Sequence, residues 1–171
     1  MTVDQKIATL GNDGIYRAAD FSPCRTWRYT LRRTWAPLKP RLLMTLLNPS
    51  EADETRDDPT NRRGIGFAKL WGFGSLVFCN EFAFRTPSPA EMKRADDPVG
   101  PENDAWILRE AKAADKIVVA WGVHGDYRGR DAQVLDLLAD FELFCFGRTK
   151  DGHPKHPLYL RRDTRLRGLT R

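Results

Sequence analysis

The chain has 171 residues, 41% hydrophobic and 30% charged, with three cysteines. That is enough for a substantial core without disulfides or metals. No apolar run approaches the roughly 20 residues of a membrane span, and the opening MTVDQKIATLG lacks a signal peptide's basic and apolar regions. The expectation is one cytoplasmic α/β domain over residues 1–171, with no membrane partner; nothing here sets its oligomeric state.

Lys and Arg outnumber Asp and Glu by 28 to 23, a net charge of +5. The arginines gather at Arg25, Arg28, Arg32 and Arg33, and again at Arg161, Arg162, Arg165, Arg167 and Arg171. Such clusters fit a phosphate backbone, because each neutralised phosphate releases a condensed counterion. They also fit a solvated surface. Cys79 and Cys145 lie in apolar runs and read as buried thiols. No CxxC zinc pattern is present.

In chain order, residues 15–21 read as a short edge strand. Residues 27–35 alternate in part and predict a second strand, placed at an edge by its charge. Within residues 41–47, the apolar run Leu42 to Leu47 ends abruptly in Asn48-Pro49-Ser50, the signature of a strand buried on both faces. A hairpin between these last two is expected. Residues 48–61 form a polar loop with Glu51, Asp53, Glu54, Asp57 and Asp58. Thr60 is placed to cap a helix over 61–71, with Gly72 after its end. Gly64 and Gly66 permit a close backbone approach.

Residues 75–79 form the next buried strand, ending at Asn80-Glu81. A short helix over 89–95 and another over 101–114 follow, the second opened by Pro101. Lys116 to Trp121 predicts another buried strand, 129–140 a helix, and 142–146 the last clear strand. Alternation of this kind predicts a three-layer α/β/α arrangement with a central, mainly parallel sheet of about four strands. In open α/β sheets ligands sit beyond the carboxyl ends of the strands. Loops 48–60, 80–88, 121–128 and 147–158 should therefore meet at one edge.

Those loops supply Asn48, Ser50, Asn80, Glu81, His124, His153 and His156. No GxGxxG, GxxxxGK[ST] or GxSxG occurs, which excludes the common dinucleotide, P-loop and hydrolase-elbow sites and leaves no cofactor implied. Side-chain amides offer one acceptor and two donors, enough to read a nucleobase edge. Phe82 or Phe84 can stack on its ring. Asn48 and Asn80 equally suit turn caps. In His153-Pro154-Lys155-His156-Pro157 the prolines restrict the loop and fix where the imidazoles point. For the acidic loop, a solvated face, a hard-cation site, and activation of a water by Asp57 or Asp58 are all open.

The series LLNPS, VFCNEFAF, VVAWGVHG and HPKHPLYL resembles the uracil-DNA glycosylase superfamily. Asn48-Pro49 is similar to the Asn-Pro of a strand-end motif in its mismatch-specific branch, with Leu47 and Ser50 departing from it. Pro59-Thr60-Asn61-Arg62 is similar to a Pro-Gly-Asn-Arg that precedes a helix there. His156-Pro157-Leu158 resembles part of the loop carrying that superfamily's catalytic histidine, but lacks its DNA-penetrating wedge. Over roughly residues 27–160, LNPS, DDPT, NEFAF, DPVGPEND, AWG and HPLYL resemble the family called domain of unknown function 1643.

The superfamily resemblance implies a uracil-DNA-glycosylase-like fold, a nucleic acid or nucleotide as partner, and hydrolysis of an N-glycosidic bond. Asn48, Asp58 and His156 would be catalytic. Asn80, Phe82, Phe84, Pro49 and Ser50 would hold the base. Arg62, Arg63, His124, His153 and Lys155 would contact phosphate or nucleic acid. Two alternatives stand beside it: a non-catalytic nucleic-acid or nucleotide binder, and a metal-dependent phosphoesterase built on the acidic loop.

Overall fold

The apolar runs that show no alternation are the ones that pair in parallel. The computed structural model describes residues 4, 5 and 9–170. Its strands are β1 (Asp4–Gln5), β2 (Thr9–Leu10), β3 (Tyr16–Phe21), β4 (Arg28–Thr34), β5 (Arg41–Leu46), β6 (Ser75–Asn80), β7 (Lys116–Val119), β8 (Leu143–Cys145) and β9 (Arg167–Gly168). Its helices are α1 (Pro59–Leu70), α2 (Pro89–Arg94), α3 (Asn103–Ala113) and α4 (Arg130–Leu137). The sheet runs β1-β3-β4-β6-β5-β7-β8-β9, with β2 also paired to β3.

Pairings β6–β5, β5–β7 and β7–β8 are parallel. Antiparallel strands flank them on both sides. The sheet is therefore mixed and wider than the four mainly parallel strands expected. The short β9 in the basic tail carried no apolar signal, because both its residues are exposed.

Successive residues of the central strands feed opposite faces, as the period-two pleat requires. Leu42, Met44, Leu76 and Phe78 pack with Ile65, Phe67 and Ala68 of α1. Leu43, Val77 and Cys79 pack with Met92 of α2, Ile107 and Ala111 of α3, and Val134 of α4. Helices thus cover both faces. Each fully buried aliphatic or aromatic side chain contributes about 1.5–3 kcal/mol. Gly64 lets α1 lie close to β6: a Cβ there would meet the Phe78 ring at 2.7 Å.

Two expectations about β4 are corrected. It pairs with β3 and β6, not with β5 in a hairpin. Both edges of β5 are already taken by parallel neighbours. Nor do its charges put it at an edge. Arg33, fully buried, donates from Nε to Asp57 Oδ1 (2.7 Å) and from Nη2 to the Asp53 carbonyl (2.7 Å). Arg32 reaches Asp20 and Glu110, each at 2.6 Å. Strand β3 is likewise interior.

The cap of α1 also differs. Asp58, not Thr60, accepts from the backbone N–H of Asn61 (2.8 Å), and Pro59 opens the helix. Gly72 does follow the end of α1, at φ 84°. Cys79 and Cys145 are buried free thiols, and Cys24 is exposed. Among the described residues no helix is long and apolar enough to cross a membrane.

Candidate functional site

Three neighbouring parallel strands, β6, β5 and β7, end at one cleft of about 490 Å³. Strand exits supply Asn48, Asn80 and Trp121. The acidic loop and the start of α1 supply Ser50, Asp58 and Asn61. The proline-rich loop supplies His156, and β4 supplies Arg28. Asn48, Asn80 and His156 therefore share one cavity although 108 residues separate the first from the last in sequence.

Each polar group is held by specific bonds. The Asn48 amide nitrogen donates to the carbonyls of Thr86 (2.7 Å) and Pro49 (3.1 Å), which leaves its Oδ1 without a protein partner among the described residues. Thr86 N–H in turn donates to the Pro49 carbonyl (2.9 Å). Pro49 is buried and acts through this carbonyl, behind the wall of the cleft. The backbone carrying Asn80 is clamped by Asn103, whose Nδ2 donates to the carbonyls of Asn80 (2.9 Å) and Glu81 (3.0 Å). Arg130 Nε adds a third bond to that exit, at 2.8 Å from the Glu81 carbonyl.

The floor is rich in unpaired donors. Arg28 is 2% exposed and donates from Nη1 to the Ala52 carbonyl (2.8 Å) and from Nη2 to Asn80 Oδ1 (3.4 Å). It makes no carboxylate ion pair among the described residues. Burial lowers its pKa to about 10, with Asp58 opposing, so it is a cation at neutral pH. Arg28 Nε, Asn80 Nδ2 and Trp121 Nε1 are buried with no hydrogen-bond partner among the described residues, and so is the acceptor Asn61 Oδ1. Unpaired buried polar atoms are costly. Their gathering in one cleft marks a place where a ligand's polar groups can repay that cost.

His156 accepts the Leu158 N–H at Nδ1 (3.3 Å). That bond assigns the proton of the neutral ring to Nε2. Burial lowers the pKa of His156, opposed by Asp58, so the neutral form is the working one. Asp58 uses Oδ1 as the cap of α1, and its carboxylate lies among the cleft residues. Gly122 N–H donates to the Pro154 carbonyl (2.9 Å) and ties the β7 exit to the histidine loop. Gly125 packs against the indole of Trp121, where a Cβ would stand 2.1 Å from the ring.

Several expected contacts fall elsewhere. Phe82 is fully buried in the core against Tyr127, so it has no free face for a base. Phe84 packs on the same cluster and does not line the cleft. Besides the imidazoles of His124 and His156, two aromatic side chains do: Tyr159, 92% exposed at the mouth, and Trp121, buried. His153 and Lys155 lie outside the cleft; their loop is pinned through backbone bonds to Thr149 and Gly147. His124 lies at the exposed rim, with Nδ1 3.5 Å from Lys93 Nζ. Arg62 and Arg63 line an adjoining groove.

The acidic loop is not a joint carboxylate site. Asp57 pairs with Arg33 and Arg17, Glu54 with Arg25, and Asp53 Oδ1 closes a local turn through Thr55 and Arg56. Among the described residues no three His, Cys, Asp or Glu side chains are grouped to hold a metal ion.

Arg28, Asn61 and Asn103 were not evident from sequence as site residues. Arg28 sits in a strand where nothing local shows that its partners are a carbonyl 24 residues away and an amide 52 away.

Fold and cleft together define a mixed α/β protein with a polar-lined cleft at the carboxyl ends of its parallel strands, where open α/β sheets place their ligands. The sequence matches the family model described as "Protein of unknown function (DUF1643)" over residues 28–158, and the chain belongs to that family. The matched span opens at Arg28 and closes at Leu158, both cleft residues. No curated protein and no solved structure matches the chain.

Proposed function

We propose that this is a uracil-DNA-glycosylase-like α/β/α protein whose cleft takes a nucleobase and whose reaction is hydrolysis of an N-glycosidic bond. One observation carries the reading: Asn48, Asp58, Asn80 and His156 line one cleft of about 490 Å³, within the about 300–1,000 Å³ usual for small-ligand sites. The helices on both faces of the parallel strands support the three-layer part of it.

In this reading the Asn80 Nδ2 amide donates to an acceptor on the base edge, and Tyr159 offers a ring at the mouth. Asn48 Oδ1 orients a water, and Asp58 accepts its proton as the water oxygen bonds to the anomeric carbon. The C–N bond breaks with its electron pair going to the base. The negative charge growing on the base meets the Nε2–H of His156 and the nearby Arg28 cation, in a site where preorganised donors act strongly.

The test is incubation with nucleotides and with oligonucleotides carrying uracil, mismatched or modified bases, followed by chromatography for free base. The expected result is base release that falls at least about a hundredfold in Asp58→Asn. No release from any substrate by folded protein would overturn the chemistry. One feature favours a second reading, a binder without turnover: the strand-end residue at position 48 is an amide and cannot take a proton. Base binding without release would select that reading.

A further inference from the structure

A second groove of about 490 Å³ adjoins the cleft, and Leu158 lines both. Arg62, Arg63 and Arg162 surround it, and none has a carboxylate partner among the described residues. Arg62 gives Nη1 to the Asp57 carbonyl (2.7 Å), Arg63 lies over the Phe67 ring at 4.9 Å with its Nε buried and unpaired, and Arg162 is exposed. Between them the surface is apolar: Leu158, half-buried, and Leu70, 63% exposed, over the buried Phe67 ring. Gly66 borders the same groove, with nothing within 4 Å of where a Cβ would stand.

We infer that this groove binds the strand flanking the base in the cleft, and that the polymeric ligand is single-stranded nucleic acid. The inference rests on the nucleobase reading of the cleft. Three guanidiniums without carboxylate partners among the described residues complement phosphates. The apolar floor complements unpaired bases, which present their faces to such surfaces. A duplex would offer the arginines its phosphates but keep its base faces stacked inside. The groove is continuous with the cleft at Leu158, so one strand can enter both.

The experiment is fluorescence anisotropy with a labelled single-stranded oligonucleotide, its duplex, and nucleoside 5′-monophosphates as competitors, over a salt series. The single strand should bind more tightly than the duplex. The triple variant Arg62→Gln/Arg63→Gln/Arg162→Gln should weaken strand binding more than tenfold and flatten the plot of log K against log salt by about 2, at about 0.7 per phosphate. Arg63 is half-buried, so Gly66→Glu supplies an independent variant. It puts a carboxylate in open space on the groove and should weaken the strand similarly while the thermal midpoint stays put.

Equal strand affinity in both variants, or tighter duplex binding, would overturn the groove. Strand binding lost in the groove variants but unchanged in Asn80→Ala, with no mononucleotide competition, would support the groove while refuting the cleft reading. Monophosphate binding that needs Asn80, with no strand binding in the wild type, would do the reverse.

Discussion

Arg28 Nη2 donates to Asn80 Oδ1 across 3.4 Å, which fixes the Asn80 amide so that Nδ2, the unpaired donor, is the group left for a ligand. The two residues belong to strands β4 and β6, which pair antiparallel in the sheet. Asn80→Ala should therefore lower base affinity about tenfold, the worth of about 1–1.5 kcal/mol of hydrogen bonding, with little change in the urea midpoint. Arg28→Lys should cost as much in affinity. A lysine cannot reach both the Ala52 carbonyl and Asn80 with a planar fork. Calorimetric titration of nucleobases into each variant checks both outcomes.

Asp58 has two roles that different substitutions separate. As the cap of α1 it accepts the Asn61 N–H. Asp58→Asn keeps a capping acceptor and should leave stability nearly unchanged while base release falls at least about a hundredfold. Asp58→Ala should lose both, with a stability cost of about 1 kcal/mol. Urea unfolding alongside the release assay distinguishes them.

Burial lowers the pKa of His156 below its ordinary 6.5. The unfolded chain then binds a proton that the folded chain refuses whenever the pH lies between the two values. Stability from this group is complete above about 6.5 and is lost as pH falls through the folded-state value. His156→Gln should lack that segment of the profile. Acid should also weaken base binding, because protonated Nδ1 can no longer accept the Leu158 N–H.

Glu81 has the opposite sign. Burial, reinforced by Asp131 and Asp126 and opposed by Arg130, raises its pKa to about 10, and both carboxyl oxygens lack hydrogen-bond partners among the described residues. The folded state keeps the proton from pH 4.5 up to about 10, so this group's stabilisation is lost as pH rises across that window. Wild-type urea midpoints should fall between neutral pH and pH 9, whereas Glu81→Gln should be flatter. Identical slopes would show that Glu81 ionises without penalty.

What the sequence disclosed follows from which interactions are local. The runs at 42–47 and 75–79 show no apolar–polar alternation, interrupted only by Thr45 and Ser75, because both faces are covered, so their strands and exits were legible, and with them Asn48 and Asn80. Gly72 and Pro89 marked helix ends for local steric reasons, whereas Pro101, expected to open α3, precedes its start at Asn103 by two residues. The position of β4 was not legible. Arg32 and Arg33 look like edge charges until Asp20, Glu110 and Asp57 arrive from elsewhere in the chain. Phe82 looked available for stacking because it lies two residues past Asn80 at the same strand exit. Only the packing of Tyr127 against it shows that its ring faces the core.

The central claim is that Asn80, Trp121 and His156 meet a nucleobase together. Nitrogen-15-labelled protein titrated with free nucleobases and nucleosides reads it directly, because the Asn80 amide, the Trp121 indole N–H and the His156 ring nitrogens each give their own signals. All three should shift along one saturation curve, and in Asn80→Ala the Trp121 and His156 signals should follow a curve displaced to about tenfold higher base. Unmoved signals at saturating base, or shifts confined to residues outside the cleft, would contradict it.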